Sequence, residues 1–336
     1  MMKRKLRGTG VCFVIALAAI FLLLPVSGDC AKSVTRIAVG GNGIGGVYYI
    51  YSGAFSQMIN KYVPDVEATV EACAGSSVEH IKRIQIGEIQ IGPAMNDAVY
   101  QSIKGIGGTG QFKIPHDKIR TLFIMYPAVM QGVALEKSGI RTFNDLIGKR
   151  VTAGTPGSGS YNMGLAVFEA LGIDPKKIKI QHLNWTEGVN AIRNGNLDAQ
   201  FASMAYPAPW IMDLSVTHKI VMIHTSDAEL AKINEKYPYY IPSVVPGGTY
   251  AGIKEDAKMP GIWNSYIGSK DLPDNLVYQI TKAAYEHIDD LKKAYKDAGW
   301  ATPENTMKYS IAPLHPGAVK YYQEKKVQIP SHLMPK

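Results

Sequence analysis

Two glycine-rich runs carry the residue types best suited to holding a small ligand. The first is Gly40-Gly41-Asn42-Gly43-Ile44-Gly45-Gly46-Val47-Tyr48-Tyr49 and the second is Gly154-Thr155-Pro156-Gly157-Ser158-Gly159-Ser160. Before each stands a short apolar stretch that reads as a buried strand, residues 34–39 and 150–153, and after each comes an apolar pattern of helical period. A strand, a glycine turn and a helix in that order leave unpaired N–H groups at the helix start, aimed beyond the strand end. Only glycine lets backbone approach a ligand so closely. The chemistry on offer is capture of a small anion by N–H groups and hydroxyls. Tyr48 and Tyr49 are consecutive, so one of them faces the cleft. Helix capping accounts for one of Ser158 and Ser160, and the other is a candidate ligand hydroxyl.

Rival chemistries fit less well. Gly41, Gly43 and Gly46 satisfy the G-x-G-x-x-G dinucleotide pattern, but the carboxylate needed about twenty residues on falls at Glu71, inside a strand-like run rather than at its end. Gly157-Ser158-Gly159 is not a nucleophile elbow, and His80, His182, His224 and His287 have no ligand-like spacing. No catalytic group, cofactor or metal site is expected. A carboxylate would ordinarily invite an arginine fork. None of Arg36, Arg83, Arg120, Arg141, Arg150 and Arg193 lies in a glycine turn, so helix starts are expected to hold the anion instead.

The N-terminus bears on the same choice. Lys3, Arg4, Lys5 and Arg7 precede an apolar run over residues 11–26, and Val26-Ser27-Gly28 offers small residues for a cut. That is the form of a secretory signal peptide, removed near Gly28, and it implies a periplasmic protein. The chain has 36 basic and 28 acidic residues, a net charge of +8, half of which leaves with the leader. The remainder is spread along the chain and is no nucleic-acid signature. Of the three cysteines, Cys12 departs with the leader, while Cys30 and Cys73 remain to pair or to stay as free thiols.

These turns need elements to position them. Residues 66–73 read as a strand, 78–86 as a short helix capped by Ser76 or Ser77, and residues 87–92 as a turn into a strand. Asn96 and Asp97 then open a helix; capping explains one of them, and Asn96 is a candidate to face the ligand. Residues 119–126 and 130–135 read as two strands separated by Pro127-Ala128-Val129, with Tyr126 and Gln131 as hinge or ligand residues at that crossing. A second series repeats the punctuation: a short helix at 142–146, a strand at 150–153, the second glycine turn, a helix over 161–171, then strand, helix and strand through Phe201. Tyr206 follows, before Pro207. From about residue 236 the chain is broken by prolines and reads as extended. Helices at 275–288 and 317–325 are expected to return to the first half.

Alternating strands and helices of this kind make parallel α/β sheets, and two copies make two lobes. The expected fold class is α/β, with lobe I over residues 33–125 and 236–336, lobe II over residues 126–235, and a ligand cleft between them spanned by strand crossings. In open sheets ligands bind beyond the carboxyl ends of the strands, so the two glycine turns face each other across the cleft.

The first glycine run, together with Gly75-Ser76-Ser77-Val78-Glu79, Gly87-Glu88-Ile89, Ala153-Gly154-Thr155-Pro156-Gly157-Ser158-Gly159 and His315-Pro316-Gly317-Ala318, resembles the TAXI family of TRAP-transporter solute receptors along essentially the whole mature chain. The resemblance implies a type II periplasmic-binding-protein fold. It also implies a non-enzymatic receptor that delivers a small carboxylate or amino acid to the membrane permease subunits of a TRAP transporter. Its ligand residues would fall on the Asn42 to Tyr49 turn and the Thr155 to Ser160 turn, which gives Asn42, Gly45, Val47, Tyr48, Tyr49, Thr155, Gly157, Ser158, Gly159 and Ser160; the residue reading adds Ser76, Asn96, Tyr126 and Tyr206 as candidates. The sequence departs from that pattern at Pro93-Ala94-Met95-Asn96-Asp97 and at Ala202-Ser203-Met204-Ala205-Tyr206-Pro207, where Met204 and Tyr206 are bulkier than the small residues expected there.

Overall fold

The computed structural model describes residues 34–44, 46–73, 75–106 and 111–335. The expected leader, Cys30 and Gly45 lie outside these residues. The first half alternates as its pattern requires: β1 (Thr35–Gly41), α1 (Val47–Tyr62), β2 (Val66–Ala72), α2 (Ser76–Ile86), β3 (Ile91–Met95) and α3 (Asn96–Lys104). Helix α2 stops at Gly87, which takes φ +84° and donates its N–H to the Arg83 and Ile84 carbonyls, a left-handed cap open to glycine at little cost. Neither Ser76 nor Ser77 caps α2, contrary to the sequence expectation. Glu79 Oε2 instead accepts the Gly75 N–H at 2.7 Å, and Ser77 Oγ accepts from the Met95 N–H.

The strand expected to break at Pro127 runs through it: β4 (Ile119–Leu135) is a single strand of 17 residues. Then follow β5 (Arg150–Thr152), α4 (Gly159–Ala170), β6 (Lys179–Ile180), α5 (Trp185–Arg193), β7 (Ala199–Met204), α6 (Pro209–Thr217), β8 (Ile220–Ile223), α7 (Asp227–Lys236) and β9 (Ile241–Val245). The short helix expected near residue 144 is a single 3-10 turn held by the Asp145 carboxylate, which accepts from the Arg141 and Thr142 N–H groups. A long strand absent from the sequence reading, β10 (Ala257–Ser269), precedes α8 (Asp274–Glu286), α9 (Ile288–Ala294), α10 (Pro303–Tyr309) and α11 (Pro316–Glu324).

All ten strands belong to one mixed sheet, in the order β2-β1-β3-β10-β4-β7-β5-β6, with β8 on β4 and β9 on β10. Its outer strands pair in parallel, and β10 and β4 run antiparallel through the middle. The first part of β4 pairs with the end of β10, Ile119 opposite Ser269 and Ile124 opposite Ser265; its last part pairs with β7. These two strands join the halves, as the expected crossings should. Two main apolar cores form, one on each side. Phe55, Phe123, Tyr266, Ile280 and Tyr322 belong to the first, and Phe143, Phe168, Phe201, Ile211 and Met259 to the second. Tyr240, Val245, Tyr250 and Ile262 also pack in the second core, although their position in sequence lies beyond residue 236. No helix among the described residues is long and apolar enough to cross a membrane.

Candidate functional site

A cavity of about 700 Å³ opens between the two cores, and the carboxyl ends of β1 and β5 both lead into it. From the first half Asn42, Val47, Tyr48, Ser76 and Met95 line it; from the second come Thr155, Ser158, Gly159, Ser160 and the start of α5.

The first wall is built by Asn42. Its Oδ1 accepts the Tyr49 N–H at 2.9 Å, meeting an orphan donor in the first turn of α1 from a position before the helix. A Cβ on Gly46 would collide with that amide, so glycine there makes room for the bond. Tyr48 turns inward and is 7% exposed, whereas Tyr49 contributes its backbone and lies outside the lining. The hydroxyl of Tyr48 donates to Asn264 Oδ1 at 2.5 Å, and Asn264 Nδ2 donates to the Tyr126 carbonyl at 2.8 Å. Burial holds both tyrosines well above the ordinary phenol range, so they remain neutral.

Asn264 stands at a register shift between β10 and β4, where Trp263 faces Pro127 but Ser265 faces Ile124. A bulge of this kind re-aims side chains. Here Asn264 and Tyr126 both come to the cavity.

The second wall is the start of α4. Ser158 is the cap, its Oγ accepting the Tyr161 N–H. Ser160 lines the cavity with an Oγ that accepts the Ser203 N–H at 2.9 Å, leaving its own hydrogen to donate. Thr155 and Gly159 line the cavity as well.

Behind the first wall, buried His80 ties the ends of β1 and β3 together, its ring nitrogens 2.9 Å from the Gly41 carbonyl and 2.6 Å from the Pro93 carbonyl. The missing side chain of Gly40 is what admits the ring, and burial pushes the histidine pKa down.

Other candidates stand elsewhere. Asn96 is buried away from the cavity: its Nδ2 donates to the Tyr309 carbonyl and its Oδ1 accepts from Ser265 Oγ. Gly157 takes φ +86° in the turn without reaching the lining. Tyr206 is 38% exposed and outside the lining. Gln131 holds the Met204 and Ala205 carbonyls and accepts from the Tyr250 hydroxyl, a structural role. Asn264, Met95, Asn184, Trp185, Glu187, Asn190 and Ser203 line the cavity without having been named as site residues from sequence. The Asn184-x-x-Glu187 capping box was readable; Asn264, 216 residues from its partner Tyr48, was not.

Among the described residues, neither lysine, arginine nor histidine lines the cavity, and Glu187 is the one acid that does. Each arginine of the described residues is engaged elsewhere: Arg36 with Glu67, Arg83 with Glu71 and Glu88, Arg150 with Asp198, Arg193 with Asp213, and Arg120 and Arg141 with backbone carbonyls. Glu71 is therefore paired to Arg83 and not set to hold a ribose. Cys73 is buried with its Sγ beside the Arg83 guanidinium. The cavity is walled by the starts of α1, α2, α4 and α5, by neutral hydroxyls and amides, and by apolar side chains such as Val47, Met95, Trp185 and Met204. Helix starts carry partial positive charge, which Glu79 offsets at α2 and Glu187 at α5.

A family description, the NMT1-like family, matches residues 38–325. The chain belongs to the NMT1-like family. The match runs from within β1 to α11 and takes in every residue named as lining the cavity. Solved structures similar to this NMT1-like protein include XAC2383 from Xanthomonas citri bound to ATP, at 7% identity over 86% of this chain and 95% of that one, with a TM-score of 0.53. MatC from Rhodopseudomonas palustris with bound malate matches at 13% identity over 87% and 97%, with a TM-score of 0.51. The alkanesulfonate-binding protein SsuA from Xanthomonas axonopodis pv. citri bound to MOPS matches at 14% identity over 90% and 95%, with a TM-score of 0.46. The fold is the periplasmic-binding-protein fold that the motif resemblance implied, and its two α/β halves are those expected from the doubled strand–helix pattern.

Proposed function

We propose that this NMT1-like protein is an exported solute receptor that closes two lobes over a small organic anion, a carboxylate or an amino acid, and presents it to membrane permease subunits. The observation that carries the reading is the cavity between the two cores, walled by the starts of α1, α2, α4 and α5 and by neutral donors, with no lysine or arginine among the described residues that line it. N–H groups of the first helical turn and the hydroxyls of Ser160 and Tyr126 supply the anion's partners. Lobe I takes the core around Phe55 and Phe123, and lobe II the core around Phe168 and Phe201. Residues 240–262 go with lobe II, because Tyr240, Tyr250 and Ile262 pack there. The lobes turn about β4 and β10, and closure changes the surface that a permease meets.

The basic and apolar N-terminus favours export to the periplasm. The motif resemblance to TAXI receptors favours a TRAP-type, ion-driven permease; a gene for a large multi-span membrane protein beside this one would support it, and a gene for an ATPase would favour an ATP-driven importer. The same fold holds malate in the Rhodopseudomonas protein and ATP in the Xanthomonas one, so the fold leaves the solute open. Thermal unfolding of the purified protein against carboxylates, 2-oxoacids, amino acids and NAD tests the reading. A solute that binds only the native state adds about 2.7 kcal/mol at a hundredfold excess over Kd. An upward shift in Tm with an organic anion is expected; a shift with NAD alone overturns the receptor reading.

A further inference from the structure

The cavity does not end at the helix starts. A second chamber of about 360 Å³ adjoins it: Val47, Trp185, Thr186, Asn190 and Met204 line both, and Val189, Pro209 and Trp210 wall the chamber on its far side. The charged groups that the described residues place on the chamber wall, Arg193 and Asp213, pair with each other at 2.8 Å, and Arg193 Nη2 also donates to the Asp213 carbonyl. Nothing charged is left there for a second ionic group of a solute.

The intervening helix start is neutralised as well. Asn184 Oδ1 accepts the Glu187 N–H at 3.0 Å while Glu187 Oε2 accepts the Asn184 N–H at 2.9 Å, a capping box that sets a carboxylate on the start of α5. A second carboxylate on the solute would meet Glu187 with no cation to offset it. Glu187 is the one acid among the described residues that line the cavity, and its Oε2 is taken by its own helix. One end of the combined space suits one negative charge, and the other suits none. Met204, bulkier than the small residue expected at its position, is part of the neck between them.

Resting on the receptor reading above, we propose that the solute is a monoanion with an extended apolar body, its acid group held at the starts of α1 and α4 and its body passing between Trp185 and Met204 into the chamber at Trp210. This narrows the solute away from dicarboxylates and glutamate-like amino acids and toward acids with an aliphatic or aromatic tail. Volume agrees with it: ligand cavities of roughly 300–1,000 Å³ enclose molecules well above the size of malate.

Calorimetric titration of the purified protein with acetate, butanoate, hexanoate, octanoate and 3-phenylpropanoate, beside succinate, glutarate and glutamate, decides the matter. Affinity is expected to rise about threefold to fourfold per added methylene until the chamber is filled, as burial of a CH2 group predicts. Trp185→Ala is expected to flatten that dependence, and Trp185→Phe, which keeps an aromatic wall and reports on folding, to restore most of it. Affinity independent of tail length, or succinate, glutarate or glutamate binding more tightly than hexanoate, overturns the inference and leaves the receptor reading in place. If no acid of either series binds, the receptor reading fails and the inference falls with it.

Discussion

Asp97 shows how much one buried carboxyl shapes the pH response of this protein. Fully buried at the start of α3, it accepts from the Tyr240 hydroxyl at 2.7 Å and from the Ala98 N–H, yet burial still lifts its pKa to about 6 from an ordinary 3.8. The folded protein therefore holds a proton there that the unfolded chain has released between about pH 4 and pH 6. Stability from this group is full below the lower value and falls as pH rises through the upper one, by up to about 3 kcal/mol. Asp97→Asn is expected to remove that slope, so that urea unfolding at pH 4 and pH 7 differs less in the variant than in the parent protein. A second residue-scale prediction concerns the first wall of the cavity. Gly46→Ala and Asn42→Ala each break the bond to the Tyr49 N–H, at about 1 kcal/mol apiece, and the double variant is expected to cost little more than either alone because both act on one cap. Additive losses in a double-mutant cycle would refute that shared cause.

Among the elements, α4 closely approaches the opposite half. A Cβ on Gly159, its first residue, would collide with Met95 Sδ and lie 3.1 Å from Ser77 Oγ, both from the first half. Gly159→Ala is expected to wedge the halves apart and weaken solute binding about tenfold or more while leaving urea unfolding nearly unchanged. Restoring space with Met95→Ala in the same chain should recover part of the binding; a variant that binds as well as the parent would show that closure does not need this approach. The elements also explain where sequence reading succeeded. Strands followed by glycine turns and helices were legible because their signals are local, whereas which of Tyr48 and Tyr49 turns inward and which of Ser158 and Ser160 caps its helix stayed open in the sequence and depend on the packing around them. Strand β10 was not legible. It is buried on both faces and carries Pro260 and Gly261, so it shows no alternation and looks like loop. Pro127 misled in the same way, since a proline inside β4 suggests a break that pairing with Trp263 avoids. Site residues that depend on β10, Asn264 above all, were lost with it.

Across the whole molecule, the contacts between the two cores are not confined to the crossing strands. The Asp97–Tyr240 bond and the Gln101–Asn162 bond both connect the α3 side of the first half to the second, behind the cavity. Any opening of the lobes has to work around these ties, which favours a small rotation about β4 and β10 over a wide separation. If the receptor reading proposed above holds, the absence of a cation among the described residues that line the cavity has a consequence for the unloaded state. A buried arginine waiting for a carboxylate would stand desolvated and unpaired whenever no solute was present, a heavy penalty for an ion away from water. Here the waiting partners are neutral N–H and O–H groups that water can satisfy, and every described arginine already has its companion elsewhere. Such a protein can persist unoccupied through long intervals of scarcity without internal electrostatic stress, ready for solute when it arrives.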